Sequence, residues 1–486
     1  MRTNIPARLD RLEWGSFHWR LLSALGVAWL FDGLEITLVG ALGPALQGSP
    51  SLHLTPAEIG MTASAYLIGN IVGAIVFGAL ADRLGRKLLF RVTLVIYILA
   101  TAATGLSWDL WSFAAFRVLT GAGIGGEGAA ISSAILEFTP ARLRGRIHLF
   151  MASTYWAGAA SGGVVTVLLL TPGTFAPDLG WRFAFIFGAV LALIVLYLRS
   201  YIPESPRWLL AHQRYDEAEA VVQEIESRER RHAGADGCDT WYDYEPPPER
   251  SLAAYWAVMR DAVFRTYLKR SVLNVILIAT QAFFYNAIFF TYALILNNFL
   301  GVPTGEAPLY LIALAVGNLL GPLLFGPLFD TIGRRIMIVS TYSVTGVMMF
   351  VTAWLFGRGD LSATTQTVAW MIIFLFASAG ASGAYLRVAE GFPIEIRAGA
   401  IALFYTIGTL LGGVVSPWLF GQLIQSGARS EVLLGYYIAA ALMLLGAAAD
   451  AVLGFKSEGL ALEAVAPPLS RDVSKSRHGK SSTRTG

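Results

Sequence analysis

The sequence has little charge and almost no cysteine. Only 14% of its 486 residues are charged and 55% are hydrophobic, whereas an ordinary soluble domain is about 25% charged. A chain of this composition cannot cover itself with a polar surface, which disfavours a soluble enzyme and a disordered protein. The net charge of +3 gives no electrostatic footprint for nucleic acid. The single cysteine, Cys238, excludes an internal disulfide.

Motifs for catalysis and metal binding are also missing. The six histidines are scattered, without the spacing of a metal site such as HExxH. The sequence contains no P-loop, so nothing supports direct use of ATP by this chain. We therefore expect no enzyme activity, no cofactor and no metal site.

Long hydrophobic runs dominate what is present. A helix that crosses a bilayer needs about 20 mainly apolar residues. Glycine falls mainly inside these runs, which suits close helix packing in lipid, and no segment alternates as the strands of a membrane barrel do. The twelve predicted spans are residues 21–46, 57–81, 90–108, 110–137, 146–171, 182–202, 270–300, 306–329, 336–357, 363–391, 398–426 and 431–454.

Lysine and arginine are distributed unevenly between the predicted loops. When the N-terminus is placed in the cytoplasm, most of them lie on the cytoplasmic side, as the positive-inside rule requires. The opposite loops hold only Arg358 and Arg429. We therefore expect a multi-pass protein of the cell membrane with both termini in the cytoplasm.

Two motifs occur twice, about 250 residues apart. One places Gly, Asp, Gly and Arg at the same spacing after spans 2 and 8, as Gly78, Asp82, Gly85, Arg86 and Gly326, Asp330, Gly333, Arg334. The other places a Glu seven residues before an Arg after spans 4 and 10, as Glu137, Arg144 and Glu390, Arg397. The chain is therefore predicted to be a duplicated six-helix unit. Each copy begins in the cytoplasm, so the copies are parallel repeats that suit rocking around a central site.

The repeat divides the chain into five segments. They are a cytoplasmic N-terminus, an N-terminal six-helix bundle, a cytoplasmic linker with an amphipathic helix, a C-terminal six-helix bundle and a basic, disordered cytoplasmic tail. In that order they cover residues 1–20, 21–202, 203–269, 270–455 and 456–486. The linker helix is predicted to begin at Pro206, since proline suits the first helical position.

These motifs resemble the major facilitator superfamily over residues 20–455. The loop around Asp82 is similar to its signature loop, and residues 203–209 (PESPRWL) resemble the sugar-porter branch. Residues 117–123 (RVLTGAG) are similar to a helix-4 motif of proton-coupled members. Residues 31–35 (FDGLE) resemble metabolite:proton symporters, which include aromatic-acid, nicotinate and synaptic-vesicle-protein relatives. The resemblance implies an all-α membrane protein with twelve transmembrane helices in two repeats, and a secondary carrier.

The sugar-porter pattern is incomplete. The fifth span has no Gln, and the tenth lacks the Gly-Pro and Trp that sugar porters carry before the motif Glu. The seventh span partly agrees, because Gln281 and Asn286 keep the sugar-porter spacing and aromatic residues follow them. Three roles stay open for the aromatic residues of this span: they line a cavity, pack against other helices or contact lipid. With two of three sugar-contact features missing, an organic acid is favoured over a sugar.

Charges inside the spans are functional candidates, because burying a charge in lipid is costly. The resemblance to proton-coupled members assigns a coupling pair to Asp32 and Arg117. A carboxylate beside an arginine stays ionised, and it loses that support when the arginine moves away. Glu35 and Glu127 are further candidates for a proton site or a substrate contact, and a packing role is equally open for each.

Polar residues of the spans are candidates for substrate contact. Arg387 stands where sugar porters have an apolar residue, and a guanidinium suits a carboxylate. Glu390, one turn away, offers a neutralising partner instead. Because a polar side chain in lipid needs a partner, the other candidates are Gln281, Asn286, Tyr385 and Asn70.

The repeated loop motifs, which also contain Gly85 and Gly333, predict a cytoplasmic gate. Gly78 and Gly326 are expected to let neighbouring helices approach closely, and Asp82 and Asp330 to meet a helix N-terminus. A charge network would hold the cytoplasmic side closed while the substrate site faces outward. A static anchor explains the arginines of this network but not its matched acids. The network is predicted to consist of Arg86, Glu137, Arg144, Arg334, Glu390 and Arg397.

Together these features predict a proton-coupled symporter that imports a small polar metabolite, with an organic acid favoured, by alternating access. Its partners would be the bilayer, protons and the solute, and we expect a monomer. Three alternatives stay open: a sugar:proton symporter, a drug or metabolite:proton exporter, and a nutrient sensor that does not transport.

Overall fold

The protein is described here from a computed structural model, which is almost entirely helical in the part it describes. That part comprises residues 2–3, 5, 8, 15–138, 144–171, 173–176, 178–199, 203–211, 213–229, 242–243, 252–393, 396–457 and 465–466. Within it, the description excludes the side chains of residues 2–3, 79, 81–84, 86, 128–138, 144–150, 152, 199, 207, 211, 228–229, 242–243, 252–255, 330, 389 and 398.

Seven helices precede the linker. They are α1 (Ser16–Ala41), α2 (Gly43–Gln47), α3 (Pro56–Leu84), α4 (Arg86–Gly105), α5 (Leu110–Phe138), α6 (Arg144–Leu170) and α7 (Gly180–Arg199). The first predicted span, residues 21–46, covers most of α1 and of the short helix α2, and each of the other five helices matches one predicted span.

The linker contains short helices and one strand of the single strand pair found in the described residues. Strand β1 (Arg2–Thr3) pairs antiparallel with β2 (Tyr242–Asp243). Arg8 donates to the carboxylates of Glu219 and Glu226, which ties the N-terminal arm to a linker helix. The linker helices are α8 (Pro206–Ala211), α9 (Tyr215–Glu229) and α10 (Leu252–Asp261), followed by a π-helical turn at Ala262–Thr266.

The second half adds six further spans. They are α11 (Leu268–Leu300), α12 (Ala307–Thr331), α13 (Arg334–Arg358), α14 (Ala363–Gly391), α15 (Arg397–Gly408) continued through a π-helical turn (Thr409–Val414) into α16 (Val415–Gln425), and α17 (Arg429–Leu453).

Length and hydropathy explain why these segments are helices that cross a membrane. Eleven helices in the described residues are long and apolar enough to span a bilayer. The remaining predicted span, α5, is helical over 29 residues. Inside lipid every backbone polar group must be paired within the segment, which a helix achieves. The predicted all-α membrane fold with twelve spans is confirmed.

The chain separates into two compact units. The first contains Met1–Arg250, Ala287–Val316 and Pro417–Arg429, and in it α3 packs along α5 and α1 along α6. The second contains Ser251–Asn286, Gly317–Ser416 and Ser430–Gly486, and in it α13 packs along α14. The first unit thus includes pieces of α11, α12 and α16, and the two-bundle division of the sequence stays a prediction.

Candidate functional site

An arginine and a glutamate form an ion pair inside the first unit. Arg117, on α5, donates from Nη1 to Oε1 of Glu35, on α1, at 2.6 Å. Both side chains are fully buried. Asp32 lies one turn earlier on α1 and is also buried. The resemblance assigned the arginine to Asp32, and the structure shows Glu35 in contact with it.

Two aromatic rings enclose the guanidinium of Arg117. Its Cζ lies 4.7 Å from the ring centre of Tyr66 and 5.5 Å from that of Phe185. Aromatic faces attract a cation, but they leave its N–H groups unused. Among the described residues, Nε and Nη2 of Arg117 and Oε2 of Glu35 have no hydrogen-bond partner. Buried polar atoms are nearly always paired. These unpaired atoms are therefore available to form hydrogen bonds with a further polar group.

Glycines let the helices that carry the pair pack closely. A Cβ at Gly33 on α1 would run into the carbonyl oxygen of Tyr155 on α6. One at Gly121 on α5 would run into the carbonyl oxygen of Tyr66 on α3. Small residues are the usual means of close helix contact in a membrane. They hold α1 against α6 and α5 against α3, which positions the ion pair.

A tyrosine and a third carboxylate extend this cluster. Tyr97 on α4 is buried, and its hydroxyl has no hydrogen-bond partner among the described residues. The charges of Glu35, Asp32 and Glu127 all act on it. Glu127 itself is buried on α5. The sequence indicated Glu127 by its charge and missed Tyr97, because a tyrosine in an apolar helix gives no signal of its own.

Aromatic rings gather beside the cluster, within the same unit. The ring of Phe290 lies 6.2 Å from that of Tyr66. The ring of Phe289 lies 5.6 Å from that of Trp156, which in turn meets Tyr155 edge-on at 5.1 Å. Phe289 and Phe290 are at most 4% exposed, so these two residues of the seventh span do not face lipid.

The predicted amides of the seventh span lie on α11 in the second unit. Asn286 donates to a carbonyl of its own helix at 2.8 Å. Gln281 is half-buried, and its Oε1 has no hydrogen-bond partner among the described residues. Between them, Tyr285 donates to Oδ1 of Asn318 on α12 at 2.7 Å. Sequence reasoning missed Asn318, although it is the only polar side chain in residues 311–324.

The two other predicted substrate contacts, Asn70 and Tyr385, lie on α3 and α14. Asn70 is half-buried on α3, and a Cβ at Gly125 on α5 would run into its carbonyl oxygen. Tyr385 on α14 is 38% exposed, and its ring lies 6.3 Å from that of Tyr405. Asn70 belongs to the first unit and Tyr385 to the second. A role in substrate binding stays a prediction for each.

Arg387 forms a second buried ion pair, in the second unit. Its Nε and Nη2 donate to the two carboxylate oxygens of Asp450 on α17 at 3.0 and 3.1 Å, and both side chains are fully buried. Its Nη1 donates to the carbonyl of Phe455, whose ring lies 4.8 Å from the guanidinium carbon. The suggested pairing with Glu390 is wrong, because Asp450 meets Arg387 in a two-pronged geometry. All three of its nitrogens are used, so Arg387 is left out of the site proposed below.

The structure describes part of the predicted gate network. Arg334 forms a salt bridge with Glu390 and also donates to Oγ of Ser457 at 3.4 Å. Arg397 donates from Nε to the carbonyl of Phe392 at 3.2 Å. The gate residues whose side chains lie outside the described part are Asp82, Arg86, Glu137, Arg144 and Asp330.

The gate glycines differ in what surrounds them. Among the described residues, a Cβ at Gly78 or Gly326 would meet nothing within 4 Å, so the described part of the structure gives no support to the prediction that they permit close helix approach. Gly85 and Gly333 precede α4 and α13 with φ of +91° and +110°. Only glycine adopts such a backbone readily, so these two residues allow the sharp turns between helices.

A carboxylate does meet a helix N-terminus at the first gate motif, but it comes from the linker. The backbone N–H of Lys87, in the first turn of α4, donates to Oε2 of Glu204 at 3.2 Å. A negative charge is stabilised at this end of a helix. Glu204 belongs to the PESPR segment, whereas the sequence interpretation gave this role to Asp82.

Comparison with known proteins identifies the family. Residues 45–467 match the model of the sugar (and other) transporter family. The chain belongs to this family of the major facilitator superfamily. The transporter is 28% identical to the niacin transporter NiaP of Acinetobacter baylyi, over 95% of this chain and 99% of the relative. It is 26% identical to the 4-hydroxybenzoate transporter PcaK of Pseudomonas aeruginosa, over 89% and 92% of the two chains.

Solved structures share the fold of the transporter. The xylose transporter XylE from E. coli, in a partially occluded inward-open conformation, matches with a TM-score of 0.71 at 18% identity. The match covers 91% of this chain and 99% of that one. The protein is therefore a multi-pass membrane transporter of metabolites with the major facilitator fold, and it is not an enzyme.

Proposed function

We propose that the transporter imports a small organic acid together with a proton, by alternating access, across the cell membrane and with both termini in the cytoplasm. The observation that carries the proposal is the fully buried pair of Arg117 and Glu35. A buried carboxylate that loses a neighbouring arginine binds a proton more readily. Conformation then sets proton affinity, which is the requirement for coupling.

In this proposal Glu35 is the coupling carboxylate and Asp32 supports it. Protonation of Glu35 removes the charge that holds Arg117. The guanidinium, whose Nε and Nη2 have no hydrogen-bond partner among the described residues, is then free to bind the carboxylate of a substrate. A guanidinium binds a carboxylate in a two-pronged geometry. Proton binding and substrate binding thereby favour one another.

The substrate class proposed is an aromatic monocarboxylate. The two relatives are named for niacin and 4-hydroxybenzoate, each a ring that carries one carboxyl group. The ring of Trp156 contacts the rings of Tyr155 and Phe289, in the same unit as Arg117. Aromatic side chains favour offset or edge-on contact with another ring, so they suit the ring while Arg117 suits the charge.

A sugar is the second candidate, and Gln281 favours it. Its Oε1 has no hydrogen-bond partner among the described residues, which leaves an acceptor for a hydroxyl group. Asn286 keeps the sugar-porter spacing from it. Neutral amides recognise hydroxyl groups, whereas Arg117 recognises an anion. The two substrate classes would therefore bind to different residues.

Uptake by proteoliposomes tests the proposal. Labelled nicotinate, 4-hydroxybenzoate and xylose are offered with and without an imposed pH gradient. We expect the gradient to drive uptake of an aromatic acid and Glu35→Gln to abolish that stimulation while solute exchange persists. Glu431→Gln, at an exposed position in the first turn of α17, serves as the matched control.

Four outcomes would contradict parts of the proposal. Unchanged gradient-driven uptake in both Glu35→Gln and Asp32→Asn would remove these carboxylates from coupling. Xylose uptake without acid uptake would favour the sugar alternative. Specific binding without any uptake would favour a sensor, and gradient-driven expulsion would favour an exporter.

A further inference from the structure

An apolar groove lies where the linker enters the second half of the chain. One wall comes from α10 and the π-helical turn after it, and the other from the first turns of α11 and from α15. The groove encloses about 350 Å³ and belongs wholly to the second unit. Its apolar lining includes Trp256, Val263, Phe264, Val272, Leu403 and Phe404.

The groove offers almost nothing to a polar solute. Apart from the indole N–H of Trp256, Arg260 and Ser271 are the polar side chains among the described residues that line it. Ser271 donates to the carbonyl of Val263 at 2.8 Å and to that of Tyr267 at 3.1 Å, so its hydroxyl is already satisfied. A hydrocarbon chain needs no hydrogen bond and therefore fits this lining.

The position and exposure of the groove match the boundary of a bilayer. It lies at the beginning of α11, which is a candidate membrane span. Trp256 is 52% and Phe264 63% exposed, although both are large aromatic residues. Aromatic residues concentrate at the level of lipid headgroups. The groove thus opens to lipid at the end of a span rather than to the interior of the protein.

One cation lines the groove, and two more lie close to it in the sequence. Arg260 lines it, and Arg265 and Lys269 follow within ten residues and are exposed. Asp261 pairs with Arg265 at 3.3 Å, and it is the only acidic residue between positions 260 and 270. Cations beside a span attract anionic lipid. An apolar groove with an arginine in its lining complements an acyl chain joined to a phosphate.

We propose that this groove binds an anionic phospholipid, with an acyl chain between α10 and α11 and the phosphate held by Arg260. The bound lipid would fix the linker helix α10 against α11 and α15. The site is separate from the Arg117 cluster and does not depend on proton coupling.

Native mass spectrometry of the full chain in detergent tests the proposal. The probes are phosphatidylglycerol and phosphatidylcholine with the same acyl chains. We expect phosphatidylglycerol to be retained in preference to phosphatidylcholine. Loss of one cation near the headgroup is expected to weaken binding about fivefold, so Arg260→Gln should lower retention of phosphatidylglycerol by that factor and Arg260→Lys should restore it.

Two further variants separate the groove from general lipid contact. Val272→Trp fills the groove and should lower retention of both lipids. Arg358→Gln is the matched control, since Arg358 is exposed and lies 4.8 Å from the exposed Trp354 at the other end of a span. Arg358→Gln should change the retention of neither lipid. Thermal unfolding verifies that each variant is folded.

The proposal is overturned by any of three results. Equal retention of the two lipids would remove the headgroup preference. Full retention in folded Arg260→Gln would remove the role of that arginine. Full retention in folded Val272→Trp would place the lipid elsewhere on the protein.

Discussion

At the scale of single residues, Tyr97 allows a sharp separation of stability from coupling. Its buried hydroxyl has no hydrogen-bond partner among the described residues, while the charges of Glu35 and Glu127 act on it. We expect Tyr97→Phe to leave the unfolding temperature unchanged or higher, since no hydrogen bond is lost. We expect gradient-driven uptake to slow if helix movement during transport brings the hydroxyl to one of these carboxylates, since a hydroxyl in that position can pass on a proton.

The matched control for this change is Tyr342→Phe. The Tyr342 hydroxyl donates to the carbonyl of Leu277 at 3.1 Å, so its loss should cost about 1 kcal/mol of stability without slowing the gradient-driven step. Thermal unfolding and proteoliposome uptake measure the two effects. An unchanged uptake rate in Tyr97→Phe would exclude the hydroxyl from proton transfer.

The pair of Arg387 and Asp450 gives a second prediction at this scale. Asp450→Asn leaves a buried arginine charge without its counter-charge, which typically costs about 3–5 kcal/mol. Replacing both residues by leucine should be much less destabilising, because no charge is left unpaired. Thermal unfolding of the purified protein compares the variants. If the folded double variant lost substrate uptake, Arg387 would return to the substrate site.

Charged residues inside apolar runs were correctly recognised from the sequence as candidates for buried ion pairs or sites, but the residues with which they pair were not. Arg117, Glu35 and Arg387 stood out because charges are costly in a membrane, and the structure finds all three in buried ion pairs. Asp450 was missed because it lies near the end of the last span, where a charge looks like an interfacial residue. Which helices touch is decided by packing between distant segments, and a single sequence does not reveal that.

At the scale of elements, Asp178 and Arg182 tie three loops together at one end of the first unit. Asp178 accepts hydrogen bonds from Ser49 and Ser51, in the loop between α2 and α3. It also accepts from Nε of Arg182 at 3.2 Å. Arg182 donates from Nη1 to the carbonyl of Ser107, in the loop before α5, at 2.8 Å. The ion pair of Asp178 and Arg182 therefore links the loop between α2 and α3, the loop between α4 and α5, and the loop between α6 and α7.

This hub predicts a pH dependence of stability. Burial raises the pKa of Asp178, but hydrogen bonds from Ser49, Ser51, Trp181 and Arg182 outweigh it and lower the pKa to about 2. A carboxyl whose pKa is depressed by folding stabilises the protein above its unfolded pKa of about 4. That contribution is lost as the pH falls toward 2.

The measurement is the unfolding temperature of the parent and of Asp178→Asn across pH. The difference between them should be constant from pH 7 down to about 5 and should shrink between about 4 and 2. A difference that stayed constant down to pH 3 would contradict the assignment of this stability to the ionised form of Asp178.

The helices were predictable and the junctions between them were not. The predicted spans 110–137 and 363–391 appear as Leu110–Phe138 and Ala363–Gly391, because length and hydropathy define a membrane helix. The gate motif shows the limit. Its repetition indicated that Gly78 has a role, but the residues that face a glycine depend on how helices pack, and none of the described residues lies within 4 Å of a Cβ placed at Gly78.

At the scale of the whole molecule, helices from both sequence repeats meet within the first unit. A Cβ at Gly60 on α3 would run into the carbonyl oxygen of Pro417 on α16. One at Gly40 on α1 would run into that of Phe289 on α11. These contacts lie near the end that carries Asp178, since α3 begins just after Ser51. The sequence revealed the repeat but not these contacts between its two copies, because a single sequence does not show which helices pack together.

The close contact at Gly60 predicts how the conformational cycle can be blocked. Gly60→Trp cannot keep the backbone of α3 against Pro417, so we expect this end to stay open and net uptake to be lost. Ser64, one turn along α3 and only 6% exposed, reports the opening. In a Cys238→Ser background, a cysteine at Ser64 should react faster with an impermeant maleimide when Gly60→Trp is present. Ile68→Trp, at an exposed position on the same helix, is the control and should change neither labelling nor uptake. Equal labelling of the cysteine with and without Gly60→Trp would show that the contact between Gly60 and Pro417 does not control access to position 64.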